Sequence, residues 1–229
     1  VIDHDLLGTA RVPGDLAELR CFHFNGEYSI WVDGNELMSS HTHGSEQALA
    51  ELSLARLGHR VAPRLLIGGL GMGFTLGRAL ALVDPHAQVE VAELVPEVVA
   101  WNRDLYGHFA GHPLRDPRTR LIVGDVAAAL SAATGAYDAV MLDVDNGPAR
   151  LSRADNDDLY AERGLATARN ALRPGGVLAV WSTDDNAVFD ARLRRSGFVV
   201  KKHTVRSRRT HGSQRTIWVA VRRETGARR

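Results

Sequence analysis

From Arg64 onward, short apolar runs alternate with longer helical stretches, and that alternation constrains the fold more than any other feature of this sequence. The strand candidates are Arg64–Gly68, Gln88–Glu93, Arg120–Val123, Tyr137–Asp143 and Gly176–Ser182. Helical stretches fall near residues 74–83, 96–106, 126–133, 158–172 and 187–195. The runs are apolar on both faces, as a sheet covered on both sides requires. Strands alternating with helices predict an α/β, doubly wound, mostly parallel sheet. The last two runs, Phe198–Val205 and Thr216–Val221, have only a polar linker between them. They are expected to pair antiparallel at the end of the sheet.

The N-terminal region reads differently. Leu19–Phe24 and Tyr28–Val32 alternate loosely around Asn25-Gly26, a hairpin-turn dipeptide, and Asp33-Gly34 marks a second tight turn. This predicts a small β-hairpin unit of two or three strands, which needs a surface to pack on. Ser45 is placed to cap a helix starting at Glu46, Ala48, Leu52 and Ala55 share one face of it, and Gly58 is a stop. The expected division is residues 1–44 for the hairpin unit and 45–229 for the main domain. A chain of 229 residues with 45% hydrophobic content can bury such a core.

In an open parallel sheet, ligands bind beyond the carboxyl ends of the strands where the strand order reverses. Distinctive residues stand at each of those ends. Gly68-Gly69-Leu70-Gly71-Met72-Gly73 follows the first strand, and its glycines let a ligand approach the backbone and the next helix's free N–H groups. Such turns also serve dinucleotides, and the bland alternative is a plain strand–helix turn. Glu93 ends the second strand about 20 residues later, where a carboxylate can accept bonds from both ribose hydroxyls. That supports a nucleoside without choosing which. Asp125 after the third strand can take the adenine amino group, cap the helix from Val126, or do both. The fourth strand ends in Asp143-Val144-Asp145-Asn146-Gly147-Pro148. Two acids there can orient an amine and accept its proton, or be a solvated turn.

At these residues the chain resembles the spermidine synthase family of the class I S-adenosylmethionine-dependent methyltransferase fold. The resemblance runs from about Leu19 to Val221, through the Val32-Asp33-Gly34 hairpin end, the glycine turn, Glu93, Gly124-Asp125, Tyr137–Pro148, Asn156–Tyr160 and Leu172–Gly176. It implies a seven-stranded Rossmann-like sheet with a small N-terminal β-unit, and a dimer. It further implies that Gly69, Gly71, Gly73, Glu93, Asp125 and Asp143 hold S-adenosylmethionine or its decarboxylated form. Asp143 matches the family's catalytic aspartate, and Asp145 matches a second acid that holds the amine.

Four departures lie on the polyamine side. Gly71 stands where the family carries an aspartate, Glu36-Leu37 where it carries a glutamine, and Glu46 where it carries a tyrosine; the Asp143–Pro148 turn is also shorter. The first expectation is therefore methyl transfer to a small amine or hydroxyl acceptor. Aminopropyl transfer is the second, and a non-catalytic nucleoside-binding protein the third. Beyond the acids, the expected acceptor contacts are His43, Glu46, Asn146, Tyr160 and Trp181.

Several classes recede. Net charge is +1, so the whole molecule gives no electrostatic case for nucleic acid. The basic end, including Lys201, Lys202, Arg206, Arg208 and Arg215, reads as a solvated edge and frayed tail or as a patch for an anionic substrate or RNA. No apolar run approaches the roughly 20 residues of a membrane helix. The lone Cys21 reads as a packed apolar residue, and with the absence of a secretory-type start it suggests the cytoplasm. His41-Thr42-His43 lacks a third ligand for a metal.

Overall fold

The computed structural model describes residues 5–144, 158–208 and 211–223, which form two sheets. The first is antiparallel, with β1 (Asp5–Arg11), β2 (Glu18–Phe24), β3 (Glu27–Val32) and β4 (Asn35–Ser39) adjacent in chain order. Both predicted turns are present. Asn25 and Gly26 have φ of 49° and 80°, and Asp33 and Gly34 have 47° and 76°, the paired positive values a two-residue hairpin loop requires. The sheet has one strand more than predicted. β1 is hidden in the sequence because Gly8 interrupts it, and its register shifts between Leu6 and Gly8. A Cβ at Gly8 would lie 3.0 Å from Nε1 of Trp101, so the break lets a tryptophan close against the strand.

Helix α1 (Gly44–Leu57) follows. It starts one residue before the predicted cap. His43 holds the N-cap position without a side-chain bond, and the Ser45 hydroxyl instead donates to Glu46 Oε2 at 2.6 Å. Gly58, at φ 72°, ends the helix as expected.

The second sheet has the order β10-β11-β9-β8-β5-β6-β7. Its strands are β5 (Arg64–Gly68), β6 (Gln88–Glu93), β7 (Thr119–Val123), β8 (Tyr137–Leu142), β9 (Leu172–Ser182), β10 (Phe198–Arg206) and β11 (Gln214–Arg222). Only β11 runs against the direction of the other strands of this sheet, wedged between β9 and β10. The chain leaves β5 toward β6 and β7, then returns to pair β8 on the other side of β5. The reversal therefore falls between β5 and β8. The helices are α2 (Phe74–Leu82), α3 (Pro96–Trp101), α4 (Val126–Ser131), α5 (Glu162–Ala171) and α6 (Ala187–Arg195). The predicted helix over 96–106 stops being α-helical at Trp101 and continues as a π-turn over Asn102–Tyr106.

Alternate residues of each central strand enter opposite cores. Leu65, Ile67, Val89, Val91, Met141 and Ala179 pack with Leu49 of α1 and Leu76 and Leu80 of α2. Leu66, Val140, Leu142, Leu178 and Val180 pack with Leu130, Leu165 and Phe189 of the opposite helices. A third cluster joins the two sheets: Cys21 and Ile30 meet Met72, Phe74, Val98, Trp101 and Tyr106. Cys21 is fully buried, and burial pushes its thiol up to about 11, so it is a packing residue. No helix among the described residues is long and apolar enough to cross a membrane.

Candidate active site

A cleft of about 170 Å³ lies at the carboxyl ends of β5, β6, β7, β8 and β9, roofed by Leu19, Leu37 and Met38 of the first sheet and by Val12 just after β1. Its floor is the glycine turn. Gly69, Gly71 and Gly73 all have positive φ, at 86°, 48° and 88°. A Cβ at Gly69 would lie 2.2 Å from the carbonyl oxygen of Asp143. Glycine is required there by conformation and by the closeness of the β5 and β8 ends.

The turn is held from two sides. Glu93 is 8% exposed and lines the cleft. Its Oε2 accepts from the N–H of Leu70 (3.0 Å) and Gly71 (3.3 Å), and its Oε1 from Val95 (2.9 Å). From the other side, Nδ2 of buried Asn102 donates to the Gly71 carbonyl at 3.3 Å. The π-turn presents this amide, and no spacing in the sequence announces it. Asp125 lines the cleft beside Gly124, and its Oδ1 accepts from Ala127 N–H at 2.8 Å as the α4 cap.

Asp143 and Glu46 meet in the cleft from β8 and the first turn of α1. Burial pushes the Asp143 carboxyl up to about 6, opposed by the Thr75 hydroxyl, which donates to Oδ2 at 2.8 Å. Burial, then the charge of Asp143, push Glu46 up to about 7, against the Ser45 hydroxyl and the positive charge of Arg215. Because the charge of Asp143 acts on Glu46, the two acids titrate as a coupled pair, both displaced upward. The acids at the opposite end of the sheet differ. Glu90 is met by Arg64, Arg120 and the Tyr137 hydroxyl, and Asp138 by Arg60 and Arg173. Neither Asp143 nor Glu46 forms an ion pair among the described residues. Buried acids without a cation are suited to receiving one.

Of the other expected contacts, Trp181 lines the cleft. His43 does not; its ring stacks on Phe74 with centroids 4.2 Å apart. Tyr160 is 2% exposed and packs edge-on against Phe189, away from the cleft lining. Asp145 and Asn146 lie outside the described residues. The expected pairing of Asp143 with Asp145 therefore lies outside the described residues; within them, the acid that meets Asp143 is Glu46. The partner comes from a helix 97 positions earlier, so adjacency could not reveal it.

Among solved structures, the chain superimposes on spermidine synthase bound to the transition-state analogue AdoDATO with a TM-score of 0.72, 17% identity, and coverage of 94% of this chain and 72% of that one. Spermidine synthase from Thermotoga maritima gives the same TM-score and coverage at 18% identity. The fold is that of spermidine synthase. No family model matches the chain. In sequence it is 36% identical to putrescine N-methyltransferase 1 of Nicotiana tabacum over 117 residues, 50% of this chain and 28% of that protein. It is 28% identical to the polyamine aminopropyltransferase of Korarchaeum cryptofilum over 144 residues, 62% of this chain and 42% of that protein. The matched segments span less than half the length of either relative.

Proposed function

We propose that this chain is an S-adenosylmethionine-dependent methyltransferase acting on a small amine. The observation that carries the reading is the buried Asp143–Glu46 pair, which forms no ion pair among the described residues and lies in the same cleft as Glu93. The cleft suits an adenosyl group. Gly124 opens onto empty space, apolar Leu94, Val95 and Val126 flank it, and Glu93 and Asp125 offer acceptors for ribose and adenine. The cosubstrate supplies an electrophilic methyl carbon and a neutral thioether leaving group. The protein's task is alignment and proton removal. An amine arrives as an ammonium, and the acid pair holds it by charge. Asp143 takes one proton, freeing the nitrogen lone pair. A nitrogen–carbon bond then forms as the carbon–sulfur electrons move to sulfur.

Methyl transfer is favoured over aminopropyl transfer at Gly71. An acid at this position would meet the ammonium of an aminopropyl donor. Here φ is 48°, a conformation that favours glycine, and the only neighbour a Cβ would meet is the apolar end of Met38, with Sδ at 3.1 Å. The similarity to putrescine N-methyltransferases points the same way. Aminopropyl transfer is the second reading, supported by the similarity to an aminopropyltransferase. The proposal extends to a homodimer, as the resemblance implies, and to the cytoplasm, which the lone Cys21 suits.

The test is product identification by mass spectrometry after incubation with putrescine and either S-adenosylmethionine or its decarboxylated form. A methylated diamine supports the proposal. An aminopropylated one establishes the second reading, and no product from a panel of amines with either donor overturns both.

A further inference from the structure

Two buried donors beside the cleft have no acceptor among the described residues: Nε1 of Trp181 and Nε of Arg215. Trp181 lines the cleft near the end of β9. Arg215 stands on β11, which pairs with β9 through Ile217 and Trp181, and its guanidinium carbon is 5.7 Å from the Trp181 ring centroid. The bond it does make is from Nη1 to the carbonyl of its own neighbour, Gln214, at 2.9 Å. Nε of Arg64, Arg169 and Arg222 is likewise unmet, but Arg64 pairs with Glu90 and Arg222 donates through Nη1 to the carbonyls of Arg169 and Leu172, whereas Arg215 has no bond to another segment among the described residues.

The position of Arg215 is built. The turn joining β10 to β11 is tied to the start of α1, where Gly44 N–H donates to the Ser207 carbonyl at 2.7 Å. Gly212, at φ 98°, allows this, since a Cβ there would lie 2.4 Å from Ser207 Oγ. The helix so tied carries Glu46. Trp181 lines the cleft with Glu46 and Asp143, and Arg215 stands behind it with its charge reaching Glu46, so carboxyls from α1 and the end of β8 gather beside a guanidinium and an indole N–H from β11 and β9.

We propose that Trp181 and Arg215 form an anion-binding end of the acceptor subsite, so that the favoured acceptor is an amine that also carries a carboxylate: a diamino or ω-amino acid. This rests on the reading of the cleft given above. A zwitterion meets opposite charge at both ends. A simple diamine brings a second ammonium toward Arg215 with no carboxylate to offset the like-charge repulsion. Two unmet donors favour a carboxylate, which accepts from both and forms charge-assisted bonds with guanidinium. The basic C-terminal stretch thereby acquires a local role.

Ornithine and putrescine form a matched pair, sharing both amines and differing by one carboxylate. Each is titrated calorimetrically into the chain preloaded with S-adenosylhomocysteine, using wild type, Arg215→Gln, Arg215→Lys and Trp181→Phe. Wild type should bind ornithine at least tenfold more tightly than putrescine. Arg215→Gln should erase that preference, with putrescine gaining affinity, and Arg215→Lys should restore part of it. Trp181→Phe should weaken ornithine alone, several-fold, which keeps the test decisive if the Arg215 variants do not fold. Equal or tighter binding of putrescine by wild type overturns the inference, as does a Gln variant that weakens both ligands alike. The preloading step separates the two readings. Failure of the adenosyl compound to bind overturns the proposed function, whereas loading without carboxylate preference overturns only this inference.

Discussion

Asp143→Asn should stabilise the folded chain while abolishing turnover, and the gain should depend on pH. Burial holds the Asp143 carboxyl at about 6 instead of 3.8. Between these values the folded state keeps a proton that the unfolded state releases, so stability falls as pH rises through that window. Above it, the native chain carries a carboxylate in a dry site. At about 1.4 kcal/mol per pKa unit, a rise of roughly two units costs about 3 kcal/mol. Asparagine removes the charge, keeps the shape and still accepts from Thr75. It also relieves Glu46, since the charge of Asp143 is the second cause of that acid's upward displacement. Some strain from the lost coupling offsets this, so the expected gain is about 1–3 kcal/mol near pH 8, falling to almost nothing near pH 4.5. For a chain of this size, each kcal/mol moves Tm by about 2–4 °C. Thermal melts of both proteins at the two pH values read the effect, and turnover should drop by about 10²-fold or more. A destabilised variant near pH 8, or an equal gain at both pH values, would refute the reasoning.

Other expectations follow from the same geometry. Gly69→Ala forces a side chain into the left-handed region and against the Asp143 carbonyl; a loss of about 2–4 kcal/mol is expected in urea unfolding. Asn102→Leu removes the amide that holds the Gly71 carbonyl, and should cost about 1–3 kcal/mol and weaken adenosyl-compound binding measured by calorimetry. Since both cleft acids titrate above the ordinary carboxylate range, kcat/KM should fall as pH drops through about 7 to 6, and Glu46→Gln should move that fall to lower pH in a stopped-time methyl-transfer assay.

The main sheet was legible because its strands obey local rules. Arg64–Gly68 and Gln88–Glu93 match their predicted bounds, being apolar on both faces and ended by a glycine turn or an acid. The β10–β11 pair was readable because a polar linker replaced a helix. What escaped was set by contacts between distant segments. β1 looks unlike a strand because Gly8 answers to Trp101. The helix after Pro96 turns π-helical where Asn102 reaches Gly71, although its sequence propensity continues. The start of Leu172–Ser182 lies inside the predicted helical stretch, because pairing with Tyr137 overrides Pro174 and Gly175. In the site, Glu93, Asp125 and Trp181 line the cleft at the strand ends where the reading placed them. The Glu46–Asp143 pair needed the packing of α1 across the sheet, and His43 was drawn aside by Phe74.

The measurement closest to the central claim is a crystal structure of the chain grown with S-adenosylhomocysteine. Both sugar hydroxyls should rest on the Glu93 carboxylate, with the purine near Asp125 and the sulfur turned toward Asp143. A nucleoside seated elsewhere, or one whose ribose is out of hydrogen-bond reach of Glu93, would contradict the account.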